Sequence, residues 1–259
     1  MKKFFKFFGL CAIMLFSFFY TEKIALYVQN KSPIMTSIND AKNNLFVSSI
    51  DAEVINEYII PGINGLAVNV KKSYDKMKSF EVFNSYYLVF DQVPPEISLE
   101  NNKNKIIKKG NKLKKSVSFI LEDNSQIINY LKENNIKANI LMNIENYQEQ
   151  DKLEIINSDV NNFEKLESLL NKAKLNKHIC YVEMANKEKC IEKENYLVSS
   201  SMELNSVNLA SIKKRLESGD IILIKSTAKL EDFILLINQI KYQDLKIVYL
   251  SELITEENN

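Results

Sequence analysis

Val117-Ser118-Phe119-Ile120-Leu121, followed after an intervening amphipathic stretch by Ile136-Lys137-Ala138-Asn139-Ile140-Leu141-Met142, decides how this chain is read. The first run is almost continuously apolar, as a strand buried on both faces requires. It ends in Glu122-Asp123-Asn124-Ser125, a set of residues that suits a helix N-cap. Ile127, Ile128, Tyr130 and Leu131 then recur at helical spacing, and Asn134-Asn135 stops the helix before the second apolar run. Strand, helix, strand in this order is a βαβ unit, whose two strands lie parallel.

Towards the C-terminus the alternation repeats. Ile212–Leu216 reads as a helix, Ser218-Gly219-Asp220 as a turn, Ile221–Ile224 as a buried strand and Leu230–Ile240 as an apolar helix. Leu245–Leu250 reads as a strand, and Ser251–Ile254 closes the domain. Alternating strands and helices imply an α/β domain around a parallel sheet, open or closed into a barrel. Function in such folds lies at the carboxyl ends of the strands, where Glu122, Asp123 and Lys225 fall.

Towards the N-terminus the signal is weaker. Val54–Ile60 is strand-like, Pro61-Gly62-Ile63-Asn64-Gly65 is a turn, and Ser73–Phe80 places Tyr74, Met77 and Phe80 on one helix face. Tyr86–Phe90 reads as a short apolar strand before Pro94-Pro95 breaks the chain. Tyr86, Tyr87 and Phe90 are expected to pack in a core; their exposure would instead mark a docking surface. The expected organisation is 1–28 an export segment, 29–50 a spacer, 51–95 a small N-terminal α/β unit, 96–115 a basic linker and 116–254 the main domain.

The export segment begins Met1-Lys2-Lys3-Phe4-Phe5-Lys6-Phe7-Phe8 and runs without charge from Phe7 to Tyr20. A basic start before an apolar stretch is the export pattern, and the lysines should stay on the cytoplasmic side. The stretch is short beside the roughly 17 to 25 residues of a membrane span. No small-x-small cleavage site follows Tyr20, so an uncleaved signal-anchor competes with a cleaved signal peptide. Either reading puts the bulk of the chain outside the cytoplasm, at the membrane face or secreted.

Composition narrows the chemistry further. The 259 residues are 46% hydrophobic and 26% charged, with net charge +1 and both signs interspersed. No basic face of the kind a nucleic-acid binder carries is evident, so no nucleic-acid partner is expected. The lysine run from Lys103 to Lys115 reads as a solvated linker. Five glycines fit no glycine-rich phosphate loop. Cys180 and Cys190 either pair in an oxidising medium or remain two thiols, and their spacing fits no zinc motif.

Ser118-Phe119-Ile120-Leu121-Glu122-Asp123-Asn124 resembles the first motif of the polysaccharide deacetylase family, also called the NodB-homology or carbohydrate esterase 4 family. Leu131-Lys132-Glu133-Asn134-Asn135-Ile136-Lys137-Ala138-Asn139-Ile140 is similar to the family's following helix and strand, and Gly219-Asp220-Ile221-Ile222-Leu223-Ile224-Lys225 to its late strand. Lys246–Ile254 is similar to its closing strand and helix, so the likeness covers roughly residues 114 to 254. Pro61–Phe80 also resembles a segment that precedes such domains. The resemblance implies a divergent, shortened NodB-type (β/α) barrel with a small N-terminal α/β segment and an N-terminal membrane anchor.

It also implies a reaction. In the family an Asp and the two His of an H-x-x-x-H turn hold a metal, a second Asp is the base and a late His the acid. Here Glu122 falls at the base position and Asp123 at the metal-binding Asp. Ser158 and Asn162 fall at the two His, Lys225 at the late His, and Tyr181–Ala185 where an Arg-Pro motif belongs. The lone histidine, His178, lies outside every motif. Catalytic positions Glu122, Asp123 and Lys225 therefore read as vestigial, Asp123, Ser158 and Asn162 as a degenerate ligand set, and neither metal nor cofactor is expected. The two carboxylates also fit a plain helix-capping role, and Lys225 fits an ion pair with one of them. The expected function is a tethered deacetylase-like protein of the cell envelope, binding cell-wall glycan or an envelope partner. An atypical active deacetylase and a purely structural interaction module are the alternatives.

Overall fold

The computed structural model describes residues 2–148, 152–182 and 187–258. The chain begins with α1 (Lys2–Asn30) and α2 (Pro33–Asn44), then the hairpin β1 (Glu53–Ile55) and β2 (Tyr58–Ile60). It continues through β3 (Gly65–Val68), α3 (Val70–Met77), β4 (Phe90–Val93) and β5 (Ile106–Ile107). The βαβ unit is β6 (Ser116–Leu121), α4 (Ser125–Glu133) and β7 (Ala138–Met142), followed by β8 (Leu153–Asn157) and α5 (Phe163–Lys172). Next come β9 (Ile179–Tyr181), α6 (Lys187–Glu192), β10 (Tyr196–Val198) and β11 (Met202–Leu204). The chain closes with α7 (Leu209–Arg215), β12 (Ile221–Ile224), α8 (Leu230–Tyr242), β13 (Lys246–Ile247) and α9 (Leu250–Ile254).

Two compact units result, one of residues 1–48 and 65–93, the other of 49–64 and 94–259. The first unit corrects two expectations. The stretch 29–50 is not a spacer, because Ser32 accepts the N–H of Met35 (3.2 Å), Pro33 starts α2, and Ile34, Met35 and Ile38 are buried. The helix expected at Ser73–Phe80 starts at Val70, capped by Asn69, and ends at Met77. Ile34, Ile38, Val68 and Met77 form this unit's core. Tyr86 lies in a 3-10 turn (Ser85–Tyr87) rather than a strand, and the aromatics expected inside are outside: Tyr86 is 93% exposed and Phe90 40%. Phe80 stacks on Tyr87 at 5.4 Å on that surface. Among the described residues no helix is long and apolar enough to cross a membrane. Ile13, Phe16 and Phe19 of α1 are nevertheless exposed.

The second unit is built on one sheet in the order β1-β2-β5-β10-β9-β8-β7-β6-β12-β11, with β13 also pairing β6. All pairings are parallel except the β1–β2 hairpin. The barrel expected from the resemblance is therefore an open, curled sheet ending at β1 and β11. Strand alternation builds its two faces. Val117, Phe119 and Leu121 pack outward under α4 and α8 with Ile127, Leu131, Phe233 and Leu236. Ile120 points the other way, into a core with Ile59, Ile107, Ile156, Ile179, Val198 and Leu223 that Leu250 and Leu253 of α9 plug. Asn139 joins these parts: its amide donates to Ser118 Oγ (2.9 Å) and Phe119 O (2.7 Å) and its oxygen accepts from Leu250 N (3.1 Å). Burying this amide is tolerated because both its nitrogen and its oxygen are bonded.

Residues 96–115 are not a linker. Ile106 and Ile107 are buried as β5 between β2 and β10, while the flanking lysines reach outward. Gly110 has no room for a side chain, since a Cβ there would meet Leu253 at 2.6 Å, and Gly219 adopts φ +91°. Cys180 and Cys190 form a disulfide between β9 and α6, which settles the choice the sequence left open.

Candidate functional site at the carboxyl edge of the sheet

Parallel pairing sets Ile224 beside Leu121, so the residues that follow, Lys225 and Glu122, leave the sheet side by side. Lys225 Nζ donates to Glu122 Oε1 at 2.7 Å, and the backbone N–H of Ser226 donates to Glu122 Oε2 at 3.0 Å. Burial pushes the Glu122 carboxyl up, but Lys225 and Ser226 together outweigh it and hold it below the usual carboxylate value. The same hydrogen bond raises the Lys225 ammonium above its ordinary value against partial burial, helped by Glu203. The contact thus favours the charged form of both groups.

The carboxylates do not cap α4. That role belongs to Asn124, whose Oδ1 accepts from Ile127 N (3.2 Å) and whose amide donates to Ser226 O and Ala228 O (3.1 Å each). Asn124 thus ties the end of β6 to the loop carrying Lys225. Asp123 is exposed between them.

After β8, Ser158 bonds Met142 O through both its N–H (3.0 Å) and its Oγ (3.1 Å). Asn162 precedes α5 and makes no side-chain cap bond. Between them Asp159, which sequence reasoning passed over, is buried. Its carboxylate accepts the N–H groups of Asn162 (2.7 Å), Ile144 (2.9 Å) and Asn161 (2.9 Å). Burial raises that carboxyl, and the three N–H bonds more than offset it, leaving it lowered. An Asp two and three residues ahead of N–H groups it can reach is an Asx-turn signal, and that was available in the sequence. Tyr181 at the end of β9 was also missed as a site residue; its OH lies 3.2 Å from Ser200 Oγ, and burial first, then Glu203, raises its phenol.

The structure therefore joins Glu122 to Lys225 directly. Among the described residues, no hydrogen bond or ion pair joins Ser158 or Asn162 to Glu122, Asp123 or Lys225. Of the stretch aligned with the Arg-Pro motif, Tyr181 and Val182 are described, while Glu183–Ala185 lie outside the described residues. His178 is exposed at φ 54° just before β9, at the amino end of the sheet.

These residues do not fit the zinc ion that the family resemblance implies. Both Glu122 oxygens are engaged and one carries an ammonium, Ser158 Oγ is engaged with a carbonyl, and the Asp159 carboxylate is engaged with backbone N–H groups. Among the described residues, no three His, Cys, Asp or Glu side chains are grouped so as to hold a metal ion.

No family model matches the chain. A stretch of 62 residues is 45% identical to "Uncharacterized protein YlxY" of Bacillus subtilis (strain 168), covering 24% of this chain and only 19% of that protein. Among solved structures, the wild-type BA3943 of Bacillus anthracis, described as a CE4 family pseudoenzyme, superposes with a TM-score of 0.57 at 17% identity over 87% of this chain and 96% of that one. A BA3943 mutant described as a pseudoenzyme with restored enzymatic activity gives a TM-score of 0.55 at 18% identity, over 87% and 99%. The chain has the fold of the carbohydrate esterase 4 proteins.

Proposed function

We propose that this chain, built on the carbohydrate esterase 4 fold, is a divergent deacetylase-like protein that does not hydrolyse. It binds cell-wall glycan at the carboxyl edge of the sheet, on the outer side of the cell membrane. The observation that carries this reading is the Lys225–Glu122 pair. An ammonium held 2.7 Å from the carboxylate at the base position supplies positive charge without a metal, and it keeps that carboxylate from taking a proton. Glu122, Lys225, Tyr181 and Ser200 are polar groups of both hydrogen-bonding senses, which suits a hydroxyl-rich ligand.

Two observations support an extracytoplasmic setting. The Cys180–Cys190 disulfide belongs to an oxidising medium, and α1 opens with Lys2, Lys3 and Lys6 and then exposes Ile13, Phe16 and Phe19, an apolar surface suited to lipid. Incubating the protein with peptidoglycan and with N-acetylated chitooligosaccharide tests the reading. Binding without released acetate, weakened in Lys225→Met, is expected. Released acetate, or no binding to either material, contradicts it.

An interaction module is a second reading, favoured by the exposed Tyr86 and the Phe80–Tyr87 stack of the first unit. Under that reading Tyr86→Ser would weaken capture of an envelope protein and leave glycan binding intact.

A further inference from the structure

The opposite end of the same sheet holds a cavity of about 380 Å³, within the usual range for small-ligand sites. It opens at the amino ends of β9 and β10, between the start of the long loop after Pro94 and the end of α9. Its floor is apolar, made by Leu99, Ile179 and Ile254. Tyr196 stands over that floor and donates its OH to Glu100 Oε2 at 3.2 Å. Burial, then the fields of Glu100 and, more weakly, Glu256, raise the Tyr196 phenol above its ordinary value, so it remains a donor.

Charge decides which ligand fits. Glu100 is neutralised by Lys103 (2.6 Å), and Lys177 leans on Glu154 (3.7 Å). Glu256 is different. Its Oε1 accepts the N–H groups of Gly62 (2.9 Å) and Leu99 (2.8 Å), which aims the carboxylate, while its Oε2 makes no hydrogen bond among the described residues. No ion pair within 4 Å covers Glu256 among the described residues; Lys114, whose ammonium bonds Glu252 O at 3.1 Å, feels the Glu256 charge at longer range. A carboxylate oriented by two N–H groups, with one oxygen open to a cavity, selects a cationic donor. The Tyr196 hydroxyl donates to Glu100 and the Ser251 hydroxyl to Glu154 Oε1 (2.6 Å), so both keep lone pairs as acceptors; beside an apolar floor they suit a ring with one C–H face and hydroxyl edges.

We infer that this amino-end cavity is a binding site for an amino sugar bearing a free ammonium, with Glu256 Oε2 accepting from that ammonium and Tyr196 and Ser251 meeting its hydroxyls. The site is distinct from the carboxyl edge and does not depend on the function proposed there.

Glucosamine tetramer and its fully N-acetylated counterpart are the probes, titrated calorimetrically into the full chain. The free-amine tetramer is expected to bind at least about tenfold more tightly than the acetylated one. Glu256→Gln keeps the acceptor for Gly62 and Leu99 and removes the charge, and is expected to lose about tenfold in affinity for the free-amine tetramer with an unchanged melting temperature. Tyr196→Phe provides a second variant should Glu256→Gln fail to fold, and a severalfold loss is expected there. No binding of the free-amine tetramer by the wild type, or equal binding of both tetramers, overturns the inference. So does wild-type affinity in a folded Glu256→Gln or, in its place, Tyr196→Phe protein. Lys225→Met acts at the other edge of the sheet, so failure of either reading leaves the other standing.

Discussion

At the carboxyl ends of β6 and β12, Glu122 and Lys225 form a charged pair where the family resemblance places a base and a histidine. A histidine at position 225 would be a neutral ring able to move a proton, whereas a lysine in an ion pair stays charged. The pair is about one-third exposed on both sides, so solvent screening limits its worth. Lys225→Met should lower unfolding stability by about 1 kcal/mol, measured in urea at pH 7; an unchanged midpoint would mean the pair contributes nothing. The sign of the pH dependence follows from the same contacts. Glu122 and Asp159 are both lowered in the folded state, so the stability they provide is present above the ordinary carboxylate range and is lost as pH falls through their folded values. Denaturation midpoints at pH 6 and pH 3 should therefore show a loss in acid, and Asp159→Asn should make that loss smaller. Lys225 is raised, so its share persists below the ordinary lysine value and fades only as pH rises past its folded value. Of these residues, Glu122 and Lys225 were legible in the sequence because each ends an apolar strand. Asp159 was legible only in part: its turn to Asn161 and Asn162 is local, whereas the Ile144 N–H is brought to it by the folded loop.

At the scale of elements, legibility followed the length of the apolar run. The six buried residues of β6, the helix after it and β7 stood out, as did β12 and α8. Short strands did not. Ile106 and Ile107 form β5, a two-residue strand between lysines, and nothing in periodicity separates it from a linker; its parallel partners β2 and β10 are brought in by tertiary pairing. Leu250 reads as the end of a strand because an apolar run continues through it, yet it begins α9 and lies in the inner core. The strand status of 106–107 is testable: Ile107 is fully buried, so Ile107→Ala should cost about 2 to 5 kcal/mol in chemical denaturation, where a true linker residue would cost almost nothing. The disulfide is a second element-scale test. It closes a loop across a separation of 10 residues, and replacing both cysteines by serine should cost about 3 kcal/mol. A melting temperature that does not move on reduction would show the bond to be absent.

The whole molecule has the sheet of the carbohydrate esterase 4 fold, with the Lys225–Glu122 pair at its carboxyl edge. The open curl of the sheet could not be read from sequence, since strand count and order, not hydrophobicity, decide whether a sheet closes. What the sequence did carry was the shortage of imidazole: one histidine, exposed at the wrong end of the sheet, cannot supply two ligands and an acid. The central proposal is that the Lys225 ammonium, paired with Glu122, supplies the positive charge that a metal beside Asp123 would supply in the family. Titration of zinc into tag-free protein by calorimetry, with metal analysis after dialysis, tests it most directly. The account predicts no tightly held zinc and no change in melting temperature. One zinc per chain, retained through dialysis and lost in Asp123→Asn, would contradict it.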